Sequence, residues 1–215
     1  MPNIITLDAN SESVHFLCCR DKRLAKVISM IGPINYIPYD DSYSFLVSQI
    51  IGQMLSNKVA QTIFKRLIDL CDGSVTPHKI SLLTDEQIKS VGTAKAKVEY
   101  IRCLTEAVIS NDLIFSELTT MSDIEVMKKL TTLHGIGNWS AKMYLIFVLD
   151  RQDILPYEDI AFLQGYSWLY KTADLSPAIL QKKCSKWKPY SSTAARFLYR
   201  ALDIGLTKNE FHLYK

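Results

Sequence analysis

The chain has 215 residues, of which 48% are hydrophobic and 22% charged, so it can bury a sizeable core in one domain or two small lobes and is neither low-complexity nor of disordered type. The longest apolar run, Met143 to Leu149, is too short to span a bilayer, and Met1 to Asp8 lacks the basic start of an export signal; a soluble protein inside the cell is expected, with no membrane partner. A net charge of +3 does not by itself demand a polyanionic partner, although Lys and Arg recur in clusters around 58–66, 95–102, 128–142 and 182–188, as they would on solvated helix faces or on a DNA-binding surface.

Nearly every periodic segment reads as helix, and no alternating run of strand formers stands out. Ser11 precedes Phe16, Leu17, Leu24, Val27, Ile28 and Ile31 at helical spacing, which predicts one helix ending at Gly32-Pro33. The stretch from Ile34 to Tyr43 has no helical period and contains Pro38, making it the best candidate boundary, read as a connection within one compact unit. Asp41 opens a helix from Tyr43 to Leu55, and Ser56 or Asn57 can cap a second run through Leu70. Thr84 to Gln87 and Ser122 to Glu125 have capping-box spacing, and Thr93 can start a helix running to Ile109.

Leu130 and Leu133 finish another helix, Gly135-Ile136-Gly137 makes a turn, and Asn138 can cap a helix carrying Trp139, Met143, Leu145, Phe147 and Val148. After Leu155-Pro156, Asp159 opens Ile160 to Tyr170; Ser176-Pro177 puts proline at a first helical position, and Gly205 stands where a C-terminal cap belongs. The sum is nine or ten helices in an all-α protein. The five cysteines, Cys18, Cys19, Cys71, Cys103 and Cys184, are odd in number with no C-x-x-C pair, so buried reduced thiols are expected rather than a disulfide framework or a zinc site.

Two features carry chemistry. The Gly135-Ile136-Gly137 turn exposes the first N–H groups of the following helix, whose dipole attracts phosphate, while glycine lets a backbone approach closely and Ile136 points inward as an anchor. A plain left-handed helix cap at Gly135 accounts for the glycines equally well. Asp159 sits at a helix N-terminus, where an aspartate stays ionised, and a simple capping role accounts for it too.

Taken together, Leu-x-x-Leu-x-Gly-Ile-Gly-x-Trp-Ser-Ala at 130–141 and Pro156-Tyr157-Glu158-Asp159 resemble the helix-hairpin-helix (HhH-GPD) DNA glycosylases of the alkylation-repair type, the 3-methyladenine glycosylase II family. The resemblance reaches from about 43 to 205. It implies two helical lobes flanking a DNA-binding cleft within a single unit over 1–215, one lobe from 1–40 and 165–215 and the other from 41–164, the hairpin lying at 130–149. It also implies excision of alkylated purines such as 3-methyladenine and 7-methylguanine from double-stranded DNA, by base flipping and hydrolysis of the N-glycosidic bond at the start of base excision repair. A monomer is expected, cytoplasmic and nucleoid-associated in a bacterium or nuclear in a eukaryote.

Carried over residue by residue, the family's Pro-x-x-Asp makes Asp159, not Glu158, the catalytic carboxylate that stabilises an oxocarbenium-like transition state. Trp139 and Tyr199 match two aromatics of a base pocket suited to electron-poor or cationic purines, to which Tyr144 is a further candidate contributor. Gln53, Met54 and Leu55 match the segment that fills the gap left by the flipped base, with Met54 or Leu55 as the apolar plug. Gly135, Gly137, Asn138 and Trp139 match the phosphate-binding hairpin, in which the carbonyls of Thr131, Leu133 and Ile136 are the groups that in relatives often hold a monovalent cation. Val91 to Lys97 resembles a second Gly-containing turn whose first-turn lysines a phosphate would suit.

Members that also cut the strand place a lysine where this chain has Trp139, so no lyase activity is expected. Some members carry a four-cysteine iron–sulfur cluster near the C-terminus; here only Cys184 lies in that part of the chain, so none is expected, and no cofactor is required. The chain departs from its relatives at Ser191, where they usually show Arg, at Met143, and in having only a short segment before the core, as in the compact form of the family. Two other readings stay open on the sequence: the same scaffold acting on a deaminated or oxidised base, and a DNA-binding module without catalysis.

Overall fold

A computed structural model describes residues 4–214; the expectation about the N-terminus rests partly on Met1 to Asn3, which lie outside them. The chain begins with β1 (Ile5–Leu7), α1 (Glu12–Arg20), α2 (Lys22–Ile31) and β2 (Ile34–Tyr36). There follow α3 (Ser42–Gly52), α4 (Asn57–Leu70), α5 (Pro77–Leu82), α6 (Asp85–Ser90), α7 (Lys95–Ile109), α8 (Phe115–Leu118), α9 (Asp123–Thr131) and α10 (Asn138–Phe147). The chain closes with α11 (Ile160–Tyr170), α12 (Pro177–Cys184) and α13 (Ser191–Asp203).

The all-α reading holds, but the described residues form thirteen α-helices rather than nine or ten, together with a two-stranded sheet. Helices as short as α5 and α8 span too few turns for a period to register. The strands β1 and β2 pair antiparallel, Ile5 opposite Tyr36 and Leu7 opposite Ile34, and at three residues each they are too short to alternate visibly. No helix among the described residues is long and apolar enough to cross a membrane.

The chain divides into two compact units, one of residues 1–38 with 150–215 and one of residues 39–149. The second boundary thus falls well before the expected position near 164, because the segment after Asp150 is bonded to α13. Ser192 N donates to the Gln152 carbonyl at 3.0 Å, Ile154 N donates to Ser192 Oγ at 3.0 Å, and Arg196 pairs with Asp150 at 3.0 Å.

In the first unit, the single N-terminal helix expected from periodicity is broken at Asp21. Its backbone is extended (φ −142°, ψ 97°); its N–H closes α1 on the Leu17 carbonyl, and its carboxylate caps α2 by accepting from Arg23 N and Leu24 N. The carboxylate also accepts from Tyr170, from Trp187 Nε1 at 2.9 Å and from Lys186 Nζ at 2.9 Å. Around it Leu17, Leu24, Phe162, Tyr166, Trp187 and Phe197 are completely buried. Removing a side chain of this size from water stabilises the fold by roughly 1.5–3 kcal/mol each. Gly165 lets α11 approach α13, since a Cβ there would lie 3.0 Å from that of Leu198.

In the second unit Leu46, Ile50, Ile51, Leu67, Ile101, Leu104 and Leu130 are buried completely. Asp41, Ser56, Thr84 and Ser122 cap their helices as the sequence predicts, the last two in complete capping boxes. Thr93 does not: its hydroxyl donates to the Ile88 carbonyl, and α7 starts at Lys95 with Ala94 as its cap. Of the cysteines only Cys71 and Cys184 are buried; Cys19 is exposed.

Candidate functional site

The hairpin lies in the second unit, between α9 and α10. Gly135 takes φ +92°, a conformation that strains any residue with a side chain, and a Cβ at that position would stand 2.1 Å from the Tyr100 ring. Two independent constraints therefore require glycine here. Ile136 is buried, as an anchor should be. The cap of α10 is Gly137 rather than the expected Asn138, which is the first helical residue and exposed; Gly137 has no side chain with which to cap the helix. The dipole of α10 makes its N-terminus attractive to an outside anion.

The turn between α3 and α4 is tied to this hairpin. The helix expected to reach Leu55 ends at Gly52, and Gln53 (φ −52°, ψ 127°) with Met54 (φ +59°) forms a type II turn closed by Leu55 N donating to the Gly52 carbonyl at 3.1 Å. Met54 holds the position that glycine usually fills, and its side chain is 100% exposed; Leu55 is 38% exposed. Gln53 points the other way, donating through Nε2 to the Gly135 carbonyl at 2.8 Å, so it fastens the turn instead of serving as a plug.

Lys97, expected near a phosphate, instead donates to the Ile51 carbonyl at 2.7 Å and the Gln53 carbonyl at 2.8 Å. Burial lowers its pKa from the ordinary lysine value. Lys95 conforms better to the solvated reading, 4.0 Å from Glu99 on the surface of α7.

Tyr144, expected in a base pocket, is completely buried; its ring lies against Phe45 and Phe115, and its hydroxyl donates to Ser42 Oγ at 2.9 Å. Its ordinary packing is that of a core residue. Met143 is likewise buried, whereas Trp139, two residues after Gly137, is only partly so.

In the first unit Asp159 is 8% exposed and caps α11, its Oδ2 accepting from Phe162 N at 2.8 Å. The Tyr199 hydroxyl of α13 is its neighbour. Burial, then the charge of Asp159 and a hydrogen bond to it, raise the Tyr199 pKa far above 10, with Arg196 pulling weakly the other way. Tyr199 is thus a protonated phenol beside the carboxylate, a placement that the expectation of a stacking surface did not include. Sequence reading missed Arg196, whose guanidinium covers the Tyr36 ring at 3.8 Å and pairs with Asp150, itself the acceptor of the Tyr36 hydroxyl at 2.9 Å. No local pattern announces partners so far apart in the chain. Ser191, where relatives show Arg, is buried and donates to Asp153 at 2.5 Å.

Residues 47–189, spanning both the Met54 turn and Asp159, match the model of the HhH-GPD superfamily base excision DNA repair proteins. The chain belongs to that superfamily. Within it, this HhH-GPD protein is similar to DNA-3-methyladenine glycosylase 1 of Schizosaccharomyces pombe, 28% identical over 187 residues that cover 85% of this chain and 82% of that one. Among solved structures it resembles the DNA-3-methyladenine glycosidase of Bacillus halodurans, with 31% identity, a TM-score of 0.83 and 97% of each chain covered. The S. pombe 3-methyladenine DNA glycosylase in complex with abasic DNA is similar at 25% identity and a TM-score of 0.81, covering 95% of this chain and all of that one. These similarities place the HhH-GPD protein in the 3-methyladenine glycosylase family.

Proposed function

We propose that this protein is a DNA N-glycosylase that removes alkylated purines of the 3-methyladenine and 7-methylguanine kind from duplex DNA, opening base excision repair. The observation that carries the reading is Asp159: a nearly buried carboxylate at the N-terminus of α11, held by Phe162 N and flanked by the Tyr199 hydroxyl. A binding module needs such a charge only as a helix cap, which gives it no reason to set a tyrosine hydroxyl beside it. As the glycosidic bond breaks, the sugar develops positive charge and the fixed carboxylate stabilises it without reorganising. Water then adds to the anomeric carbon and releases a proton, and the purine leaves as a neutral base because alkylation has already made it cationic.

The hairpin backs the reading with a phosphate site of backbone donors at Gly137, Asn138 and Trp139. Thr131, Leu133 and Ile136 line the same depression, and their carbonyls are an all-oxygen set that would suit a hard monovalent cation, which would supply positive charge for a phosphate. Met54, with Leu55 beside it, fills the gap left by the flipped nucleotide, and Trp139 offers an electron-rich face to a cationic base. The absence of a lysine at Trp139 argues for hydrolysis without strand cleavage. The protein acts as a monomer on intracellular DNA, in the nucleoid of a bacterium or the nucleus of a eukaryote.

The deciding experiment incubates the protein with duplex DNA methylated at purine nitrogens and measures the bases set free. Release of 3-methyladenine or 7-methylguanine is expected, with none from duplexes bearing uracil or 8-oxoguanine. Retention of every methylated purine, or preferential release of the deaminated or oxidised base, overturns the reading.

A further inference from the structure

The C-terminus of α3 leaves carbonyls without helical partners, and the negative end of the helix dipole gathers there. Lys97 answers both, reaching from the first turn of α7 to clamp the Ile51 and Gln53 carbonyls at 2.7 and 2.8 Å. A lysine in the first turn of its own helix opposes that helix's dipole, and burying an ammonium costs energy, so this residue is placed against two local preferences. What the clamp secures is a strained turn. Met54 at φ +59° sits where a side chain costs about 1 kcal/mol or more, and strain of that kind persists only where the surroundings over-determine it. Three bonds do so here: Lys97 on the Gln53 carbonyl, the Gln53 amide on the Gly135 carbonyl, and Leu55 N on the Gly52 carbonyl. The outcome is a fully exposed methionine on a rigid base.

We infer that Lys97 is a positioning residue for DNA distortion: by clamping the Ile51 and Gln53 carbonyls it preorganises the turn that presents Met54 as the plug. This rests on the assignment of Met54 under the proposed function. Lys97 touches neither the base nor the sugar; it spares Met54 the ordering cost of insertion.

The test uses the intact protein and a duplex carrying a tetrahydrofuran abasic analogue opposite 2-aminopurine, whose fluorescence changes when a side chain enters the gap. This readout involves no bond cleavage, so it stands whether or not methylated bases are excised. In Lys97→Met, the Leu55 amide should exchange with solvent faster while the amides of α4 and α7 keep their protection. The fluorescence response should fall by about an order of magnitude, the same loss expected of Met54→Ala. The double variant should fall no further than Met54→Ala, because two residues acting through one element are non-additive. An undiminished response in Lys97→Met, or a loss that adds in full to that of Met54→Ala, overturns the inference. If Lys97→Met does not fold, Lys97→Gln, which keeps a donor for one carbonyl, undergoes the same measurements under the same criteria.

Discussion

The side-chain amide of Gln53 donates to the Gly135 carbonyl at 2.8 Å, joining the turn that exposes Met54 to the hairpin that exposes the N-terminus of α10. Two elements separated by the whole of α4 to α9 in sequence thereby share one hydrogen-bonded base. Whatever displaces the hairpin backbone also disturbs the Met54 turn, and the two glycines of the hairpin should respond very differently to substitution.

Gly137 has an ordinary extended backbone with open space around its α-carbon, whereas Gly135 has φ +92° and the Tyr100 ring against it. Gly137→Val should therefore lose only about 1 kcal/mol, valine being a poorer N-cap than glycine, yet bind DNA of every sequence more weakly, because its side chain stands where the phosphate would approach. Gly135→Ala should lose on the order of 3 kcal/mol of stability through strain and overlap. Thermal melts with binding to abasic-site DNA at low salt check both. Unchanged affinity in a folded Gly137→Val would remove the hairpin from the phosphate contact.

Asp159→Asn keeps the shape and most of the capping of α11 but deletes the charge that the proposed function sets against the sugar. Folding should survive, and excision should slow by about a hundredfold to a thousandfold. Glu158→Gln should cost far less, because Glu158 lies in the turn before α11 and does not hold the cap position that fixes Asp159. Single-turnover release of 7-methylguanine measures both, with borohydride trapping as a check for a Schiff base. Full activity in Asp159→Asn would discard the assignment, and a trapped adduct would mean strand cleavage after all.

Tyr199→Phe separates two roles for one ring. A stacking surface would survive the change intact. The hydroxyl beside Asp159 would not, and loss of a hydrogen bond to a charged group, worth about 1.5 kcal/mol or more, should slow excision by about tenfold. Because the phenol titrates far above 10, the parent rate should show no alkaline limb from this residue below pH 10.

Asp21 gives the first unit a stability that depends on acid. Burial pushes its pKa up, but hydrogen bonds from Tyr170, Lys186, Trp187 and Leu24 N outweigh it, and the pKa falls below 3.8. The folded state therefore favours the carboxylate. Its contribution is complete above the ordinary carboxylate pKa of about 4 and is lost as pH falls from there through the lowered folded value. Urea melts at stepped pH should show that decline in the parent and a flatter one in Asp21→Asn, whose stability at neutral pH should already be lower. Parallel curves would show that Asp21 does not couple folding to protons.

Helix caps were legible because each depends on residues within a few positions. Asp41, Ser56, Thr84, Ser122 and Asp159 all bond to amides within three residues of themselves. The hairpin motif and the Pro-x-x-Asp were legible for the same reason, and they sufficed to point to the family. The break at Asp21 was obscured because apolar periodicity runs through it, and its decisive partners, Tyr170, Lys186 and Trp187, come from the far end of the chain.

The roles of side chains that reach across the chain were decided only by tertiary structure. A lysine in a helix's first turn reads as a surface charge until α3 supplies two carbonyls to Lys97, and a tyrosine on a helix reads as a flat aromatic until Asp159 faces its hydroxyl. Gln53, Met54 and Leu55 are consecutive and look interchangeable in sequence; a left-handed turn and one bond to Gly135 send Gln53 to the scaffold and Met54 to solvent. Local rules fix what a residue does to its own backbone, whereas its work on the rest of the molecule depends on partners that chain order does not place beside it.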